Sequence, residues 1–183
     1  TGEDTLSLHD ALPICQLTAL SNSQIQALTT DQIMGLIETQ IAALSTEQIA
    51  SLKTQQIQAL ETRDLASFSN AQIKAMTTGQ YTSLTTSQIA GMRVAQITAM
   101  DTDDIRSLRS DQMAALTTAQ VNALTTAQVV ALSEDQAGVL TTAQVKALTT
   151  AQVAVFETAD LAKLSTAHIQ ALSTGAIASL TAD

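Results

Sequence analysis

The chain repeats itself every eight residues from Ala19 to Asp183, without insertion or deletion. Residues 115–130 read "ALTTAQVNALTTAQVV" and show two consecutive copies of this octad. We number the small residue as position one, so that Leu occupies position two, Ser or Thr position three, Gln position six, and Ile or Val position seven. Gln stands at position six in sixteen of the twenty-one octads counted from Gln16. A fixed period of this kind decides which folds are open to the chain.

Neither one long helix nor a set of strands accommodates a period of eight. On a helix of 3.6 residues per turn, each octad would rotate the apolar pair by about 80°, so no single face would stay apolar. In a strand, the two apolar positions are an odd number of residues apart and would alternate between opposite faces. Ala is also depleted in strands. A series of short helices remains.

Each octad carries two signals for the start of a helix. Ser or Thr at position three, followed three residues later by Gln, is a capping box, and the apolar residues of positions two and seven form the hydrophobic staple around it. Residues 116–121 and 148–153 are two instances. The sequence therefore predicts one capped helix of about one and a half turns per octad. A column of Gln side chains could in addition pair neighbouring coils.

Some octads lack a good capping side chain at position three, namely Ile37, Lys53, Glu61, Arg93, Arg109 and Glu157. In most of them position four offers a substitute: Thr54, Thr62, Ser110 or Thr158. There we expect the start of the helix to shift by one residue.

The predicted fold is all-α, an α-solenoid (superhelix) built from one very short helix per octad. Helices this short are unstable alone, so the chain must coil with its Leu and Ile side chains inward, and we expect two to four octads per coil. The uniform composition predicts a single solenoid of about 21 octads over residues 15–183. All three aromatic residues (Phe68, Tyr81 and Phe156) fall on core positions. No run approaches the roughly 18 apolar residues of a membrane-spanning helix.

Residues 1–14 break the octad pattern and contain the only Pro. From Thr5 to Ile14 they read "TLSLHDALPI", which resembles the in-frame translation of a short-read sequencing adapter. We interpret residues 1–14 as a non-native, adapter-derived segment and Cys15 as the junction, and we expect the natural chain to continue upstream. Cys15 and His9 then carry no functional role.

The sequence offers little material for catalysis. It contains no Cys/His cluster with zinc-ligand spacing, no Gly-rich phosphate loop and no Ser-His-Asp arrangement. His168 stands at position six, where we expect its ring to take over the capping role of Gln. We therefore predict no enzyme activity and no catalytic, cofactor-binding or metal-binding residues.

Acid pairs span three of the capping boxes. They are Glu61 and Asp64, Asp101 and Asp104, and Glu157 and Asp160. Two carboxylates three residues apart could bind a cation weakly. We prefer the interpretation that carboxylates at a helix N-terminus accept backbone N–H bonds and interact favourably with the helix dipole.

Residues 124–132, "LTTAQVVAL", are similar to the opening of the repeats in transcription-activator-like effectors, which read LTPxQVVAI. That resemblance would imply a DNA-binding repeat array. Here the motif recurs every octad, which leaves no room for a base-reading loop, and the formal net charge of −9 opposes phosphate binding. We predict no nucleic-acid partner.

The span 16–183 resembles octad arrays of the LTTxQIxAL type in very large, adhesin-like surface or secreted proteins of bacteria. This resemblance implies a non-enzymatic structural or interaction module, a rigid spacer or display segment of a larger protein, secreted or on the cell surface. The lack of Cys after residue 15 is compatible with a secreted or a cytosolic protein. We expect end-to-end association with itself, an unidentified protein partner, and no membrane insertion. An alternative is ice or surface binding by Thr pairs: Thr117-Thr118, Thr125-Thr126 and Thr149-Thr150.

Overall fold

A computed structural model describes residues 14–180, and every regular element within them is an α-helix of four to six residues. Apart from Ile14, the segment 1–14 that we interpreted as adapter-derived lies outside these described residues, as does His9. Cys15 is exposed in the first helix. None of the described helices has the length and apolar character needed to cross a membrane.

The helices follow one another at a spacing of one per octad, as predicted. They are α1 (Ile14–Thr18), α2 (Asn22–Ala27), α3 (Thr30–Met34), α4 (Glu38–Ala42), α5 (Thr46–Ser51), α6 (Thr54–Ala59), α7 (Thr62–Ser67), α8 (Asn70–Ala75), α9 (Thr78–Ser83), α10 (Thr86–Gly91), α11 (Val94–Ala99), α12 (Thr102–Ser107), α13 (Ser110–Ala115), α14 (Thr118–Ala123), α15 (Thr126–Val130), α16 (Glu134–Gly138), α17 (Thr142–Ala147), α18 (Thr150–Val153), α19 (Thr158–Lys163), α20 (Thr166–Ala171) and α21 (Thr174–Ser179).

Most helices begin at the capping box and end at the large apolar residue of position two. In α14 the side chain of Thr117 accepts the backbone N–H of Gln120, and the backbone N–H of Thr117 donates to Gln120 Oε1. At Leu124 the backbone becomes extended (φ −53°, ψ 135°), while the N–H of Leu124 still donates to the carbonyl of Val121. Because the residue after this leucine is the next N-cap, a helix and its corner together take eight residues.

The predicted one-residue shift of the helix start is wrong. Lys53, Glu61, Arg109 and Glu157 are themselves the N-cap residues of their helices, although their side chains accept no capping bond. The position-four residues Thr54, Thr62, Ser110 and Thr158 are instead the first helical residues. The second half of the box explains this, because the residue at position six still accepts the N-cap backbone N–H, as in the 2.8 Å bond from Lys53 N to Gln56 Oε1.

The described chain forms two compact units, residues 14–91 and 92–180. Within the first unit, each of the helices α1–α7 packs against the third helix after it, and within the second unit α11–α18 do the same. Such packing is that of a solenoid, which confirms the predicted fold class. Whether residues 15–183 act as a single solenoid domain stays a prediction.

The core of each unit consists of the two apolar positions of the octad. Position-seven side chains from Leu17 to Val153 are fully buried, for example Ile57 in the first unit and Val129 in the second. Position-two side chains such as Leu60 and Leu124 are also buried. Phe68, Tyr81 and Phe156 all lie in this core, as predicted.

Candidate functional site

The most regular polar feature of the structure is the set of side chains at position six, from Gln16 to Ala176, which we call the glutamine column. Its Gln members between Gln40 and Gln152 are buried. Buried amides need hydrogen-bond partners, because an unpaired one costs about 1–3 kcal/mol. The partners of these side chains therefore show what the column does.

Gln128 illustrates the bonding within the second unit. Its Oε1 atom accepts the backbone N–H of Thr125 at 2.9 Å, and its own backbone N–H donates to Thr125 Oγ1 at 3.1 Å, which completes the capping box. Its Nε2 atom donates to the carbonyl oxygens of Ile97 and Met100, both at 2.9 Å. One end of the amide thus caps its own helix, while the other end binds a corner 28 to 31 residues earlier.

The first unit contains the same arrangement. Gln56 Nε2 donates to the carbonyls of Ile25 and Leu28, both at 2.8 Å. Gln80 Nε2 donates in the same way to Ile49 and Leu52, again at 2.8 Å. A separation of 28 residues places about three and a half octads in one coil, within the predicted range of two to four. The predicted pairing of neighbouring coils by the column is confirmed.

Asp replaces Gln at three places in the column, and each Asp belongs to one of the acid pairs. Asp64, Asp104 and Asp160 are buried, and each accepts the backbone N–H of the N-cap residue three positions earlier, at 3.1 to 3.4 Å. These carboxylates therefore perform the local half of the capping box, as expected of acids at helix N-termini. A carboxylate has no N–H group, so it cannot perform the second half.

Burial raises the pKa of each of these three carboxyl groups. For Asp104 the desolvation outweighs the backbone N–H of Asp101 and raises the pKa to about 6. For Asp64 and Asp160 the pKa is also raised, again chiefly by desolvation. Asp64 Oδ1 is buried and accepts no hydrogen bond, and its nearest cationic group is Arg63 Nε at 3.8 Å. Burial therefore favours the neutral form of these three carboxyls, and among the described residues no base–nucleophile pair surrounds them.

His168 takes the place of Gln at position six, as predicted. Its backbone N–H donates to Ser165 Oγ, and its Nδ1 atom accepts the backbone N–H of Ser165, both at 3.3 Å. The ring therefore closes the capping box of α20 locally. Ala176, the next member of the column, is buried but has no polar atom in its side chain.

A cavity of 390 Å³ in the second unit lies where Asp160 interrupts the column. Its polar lining includes Arg106, Glu134, Asp135, Glu157 and Asp160, and Leu132 also lines it. Leu132 is the residue 28 positions before Asp160, which is the position that a Gln amide would reach elsewhere in the array. The cavity therefore lies where the shorter side chain of Asp160 does not make the contact to the preceding coil that a Gln amide makes elsewhere. Among residues 14–180, no group of three or more His, Cys, Asp or Glu could hold a metal ion.

The Thr pairs divide their two hydroxyl groups between different tasks. The first Thr of each pair accepts a backbone N–H as an N-cap, at 3.2 Å for Thr117, 3.1 Å for Thr125 and 3.2 Å for Thr149. The second Thr is the exposed first residue of the helix. Capping therefore accounts for the first residue of every pair.

Comparison with known protein families identifies a family for this repeat sequence. The model described as the ALTTAQ repeat matches residues 57–94, 90–118, 97–134, 113–150 and 153–183, which together are more than half of the chain. No curated protein matches the sequence.

Proposed function

Because the chain belongs to the ALTTAQ repeat family, we propose that it is a non-enzymatic structural and interaction module. In this role it acts as a rigid spacer or display segment within a larger bacterial protein, secreted or on the cell surface. Its partner in that role is protein, including a second copy of the array.

The bonding of the glutamine column is the observation that supports this proposal. A buried column Gln such as Gln128 makes bonds to its own N-cap and to a corner one coil earlier, so its polar atoms are used by the fold. A repeat whose contacts reach only the neighbouring coil can be extended by adding octads, each coil stabilising the next. The length of such an array therefore changes in simple steps of one octad, and length is the property on which the function of a spacer depends.

Insertion of whole octads tests the proposal. A second copy of residues 97–152, placed directly after Gln152, adds seven octads without changing their phase. We expect the helical content per residue to stay constant in circular dichroism. The maximum dimension from small-angle X-ray scattering should increase by about 16–20 Å, which is two coil-to-coil distances of roughly 8–10 Å each. A further insertion of the same segment should add the same increment.

The matched control is an insertion of the same residues in scrambled order, which keeps the composition and removes the octads. This control should lower the helical content per residue and give scattering typical of a flexible segment. A maximum dimension that stays constant after the octad insertion, with helicity preserved, would contradict the spacer function.

A further inference from the structure

The cavity at Asp160 lies at a contact between coils of the second unit. Three successive coils line it, with Arg106 in the first, Leu132 and Asp135 in the second, and Glu157 and Asp160 in the third. The helices that border it in the second and third coils, α16 and α19, pack directly against each other. A solenoid repeat contacts only its neighbours, so octads added beyond the third coil would pack on the opposite side of that coil and leave the cavity as it is.

The floor of the cavity consists of Asp160 and Leu132, which are only 4% and 6% exposed. Asp160 Oδ2 accepts the backbone N–H of Glu157 at 3.4 Å. No described group donates to Asp160 Oδ1 or to the carbonyl oxygen of Leu132. One octad earlier, Gln152 Nε2 donates to the equivalent carbonyl of Leu124 at 2.8 Å. The floor therefore holds two buried hydrogen-bond acceptors at a place where the neighbouring octad supplies a donor.

The rim of the cavity consists of exposed residues and is acidic. Its charged members are Arg106, Glu134, Asp135 and Glu157. Glu134 Oε2 pairs with Lys163 Nζ at 3.4 Å. Asp135 and Glu157, together with the carboxyl group of the floor, still outnumber Arg106, and no described carboxylate forms an ion pair with that guanidinium group. The cavity therefore carries an excess of negative charge.

These features specify a ligand that is both a cation and a donor of several hydrogen bonds. Desolvation, and then Glu157 and Glu134, raise the pKa of the Asp160 carboxyl group, whereas a cation beside it would favour the charged form. A guanidinium group is planar, weakly hydrated and carries five N–H donors in a fork that matches a carboxylate, whereas an ammonium group is a strongly hydrated point charge. Val130 and Ala159 also line the cavity and suit the aliphatic stem of an arginine side chain.

We propose that this cavity binds the guanidinium group of an arginine side chain on a protein partner. Its N–H groups donate to Asp160 Oδ1 and to the carbonyl of Leu132, and so replace the amide donor that the column lacks at this octad. The volume of 390 Å³ lies in the range of small-ligand sites, about 300–1,000 Å³. The inference rests on the proposed role as an interaction module and names the chemistry of the partner.

Saturation-transfer difference NMR on the full chain at pH 7 tests this inference with the peptide acetyl-Gly-Arg-Gly-amide. We expect saturable binding with a dissociation constant of about 1 mM, since a single side chain makes the contact. The same peptide with lysine in place of arginine should bind at least about fivefold more weakly, because it lacks the planar fork. The peptide with citrulline, which has nearly the shape of arginine but no charge, should bind at least as weakly as the lysine peptide.

Asp160→Gln locates the binding site. This variant restores the usual residue of the column, so it should fold, donate to the carbonyl of Leu132 itself and no longer bind the arginine peptide. Its melting temperature should rise, because a buried acceptor gains a donor. The matched control is Asp64→Gln, the same change in the first unit, where Asp64 Oδ1 is buried from solvent. This control should bind the arginine peptide with the wild-type dissociation constant.

Three results would overturn the inference. They are the absence of saturable binding up to 10 mM arginine peptide, equal binding of the lysine or citrulline peptide, and binding to Asp160→Gln as tight as to the wild type. The 10 mM limit is about ten times the expected dissociation constant. The octad insertion measures length without any peptide, so failure of the arginine site and failure of the spacer function give different observations.

Discussion

Replacement of Gln128 by Glu separates the two tasks of the glutamine column. The substitution keeps the side-chain length and the Oε1 acceptor that binds the N–H of Thr125. It replaces the amide that donates to Ile97 and Met100 by a second oxygen, which would face two carbonyl oxygens in a buried position. The capping box is therefore preserved while the contact to the preceding coil is lost.

The expected cost follows from those contacts. Two lost hydrogen bonds reduce the free energy of unfolding by about 1–3 kcal/mol. At pH 7 the unpaired buried charge raises the total to about 3–5 kcal/mol. In urea denaturation followed by circular dichroism, this corresponds to a midpoint lower by more than about 1 M. Gln170→Glu, at an exposed position of the same unit, should shift the midpoint little.

The pH dependence supplies a second test. Burial against two carbonyls raises the pKa of the new carboxyl in the folded protein above its ordinary value. The deficit relative to the wild type should therefore be smallest below the ordinary Glu pKa, where the group is neutral in both states. It should grow as pH rises through the folded pKa. A deficit at pH 7 no larger than that of Gln170→Glu, or one that is the same at pH 4 and pH 7, would refute the assigned role of the column.

Two further predictions concern other contacts of the array. Burial raises the pKa of Asp104 to about 6, so this carboxyl stabilises the fold most below the ordinary Asp pKa, and the contribution is lost as pH rises through 6. The melting temperature should therefore rise less between pH 7.5 and pH 4 in Asp104→Asn than in the wild type. An equal rise in the two proteins would exclude the raised pKa of Asp104. In Gly91→Ala the new Cβ would lie 1.8 Å from Thr62 Cγ2. We expect this crowding to lower the free energy of unfolding, measured in urea denaturation, by about 1–3 kcal/mol. Adding Thr62→Ser removes the Cγ2 methyl group and should restore that free energy. Gly79→Ala, whose Cβ meets only Thr77 Oγ1 at 3.9 Å, should be neutral or slightly stabilising, and a loss as large as at Gly91 would exclude crowding as the cause.

The octad made the local structure predictable because both capping signals lie within six consecutive residues. Leu116 to Val121 contain the staple, the N-cap and the Gln that closes the box, and the structure has each in its expected place. The choice among coils of two, three or four octads was not predictable. It depends on which carbonyl the free end of each Gln reaches, and the partner lies 28 residues away in a corner that looks like every other corner.

The error over the start of α6 has the same origin. Sequence reasoning gave the capping side chain the deciding role, so Lys53 at position three suggested a shift to Thr54. In the structure Gln56 holds the Lys53 N–H at 2.8 Å and also binds Ile25 and Leu28 of the preceding coil. Moving the helix start by one residue would turn Gln56 away from both contacts. The hydrogen bonds from Gln56 to the preceding coil therefore fix the start of α6, and the local sequence pattern does not show these bonds.

Positions three and six of the octad tolerate substitution to different extents, because the residues at these positions make different contacts. Position three can hold Ile37 or Arg93, because the Gln three residues later still accepts the backbone N–H of the N-cap, at 2.8 Å and 2.7 Å. Position six can hold Asp160 or His168, but these side chains satisfy only the local half of the pair of contacts. Losing the Ser or Thr thus removes one bond within an octad, whereas losing the Gln removes its amide bonds to the preceding coil. The residue at position six, more than the capping residue before it, decides how firmly each coil is joined to the one that precedes it.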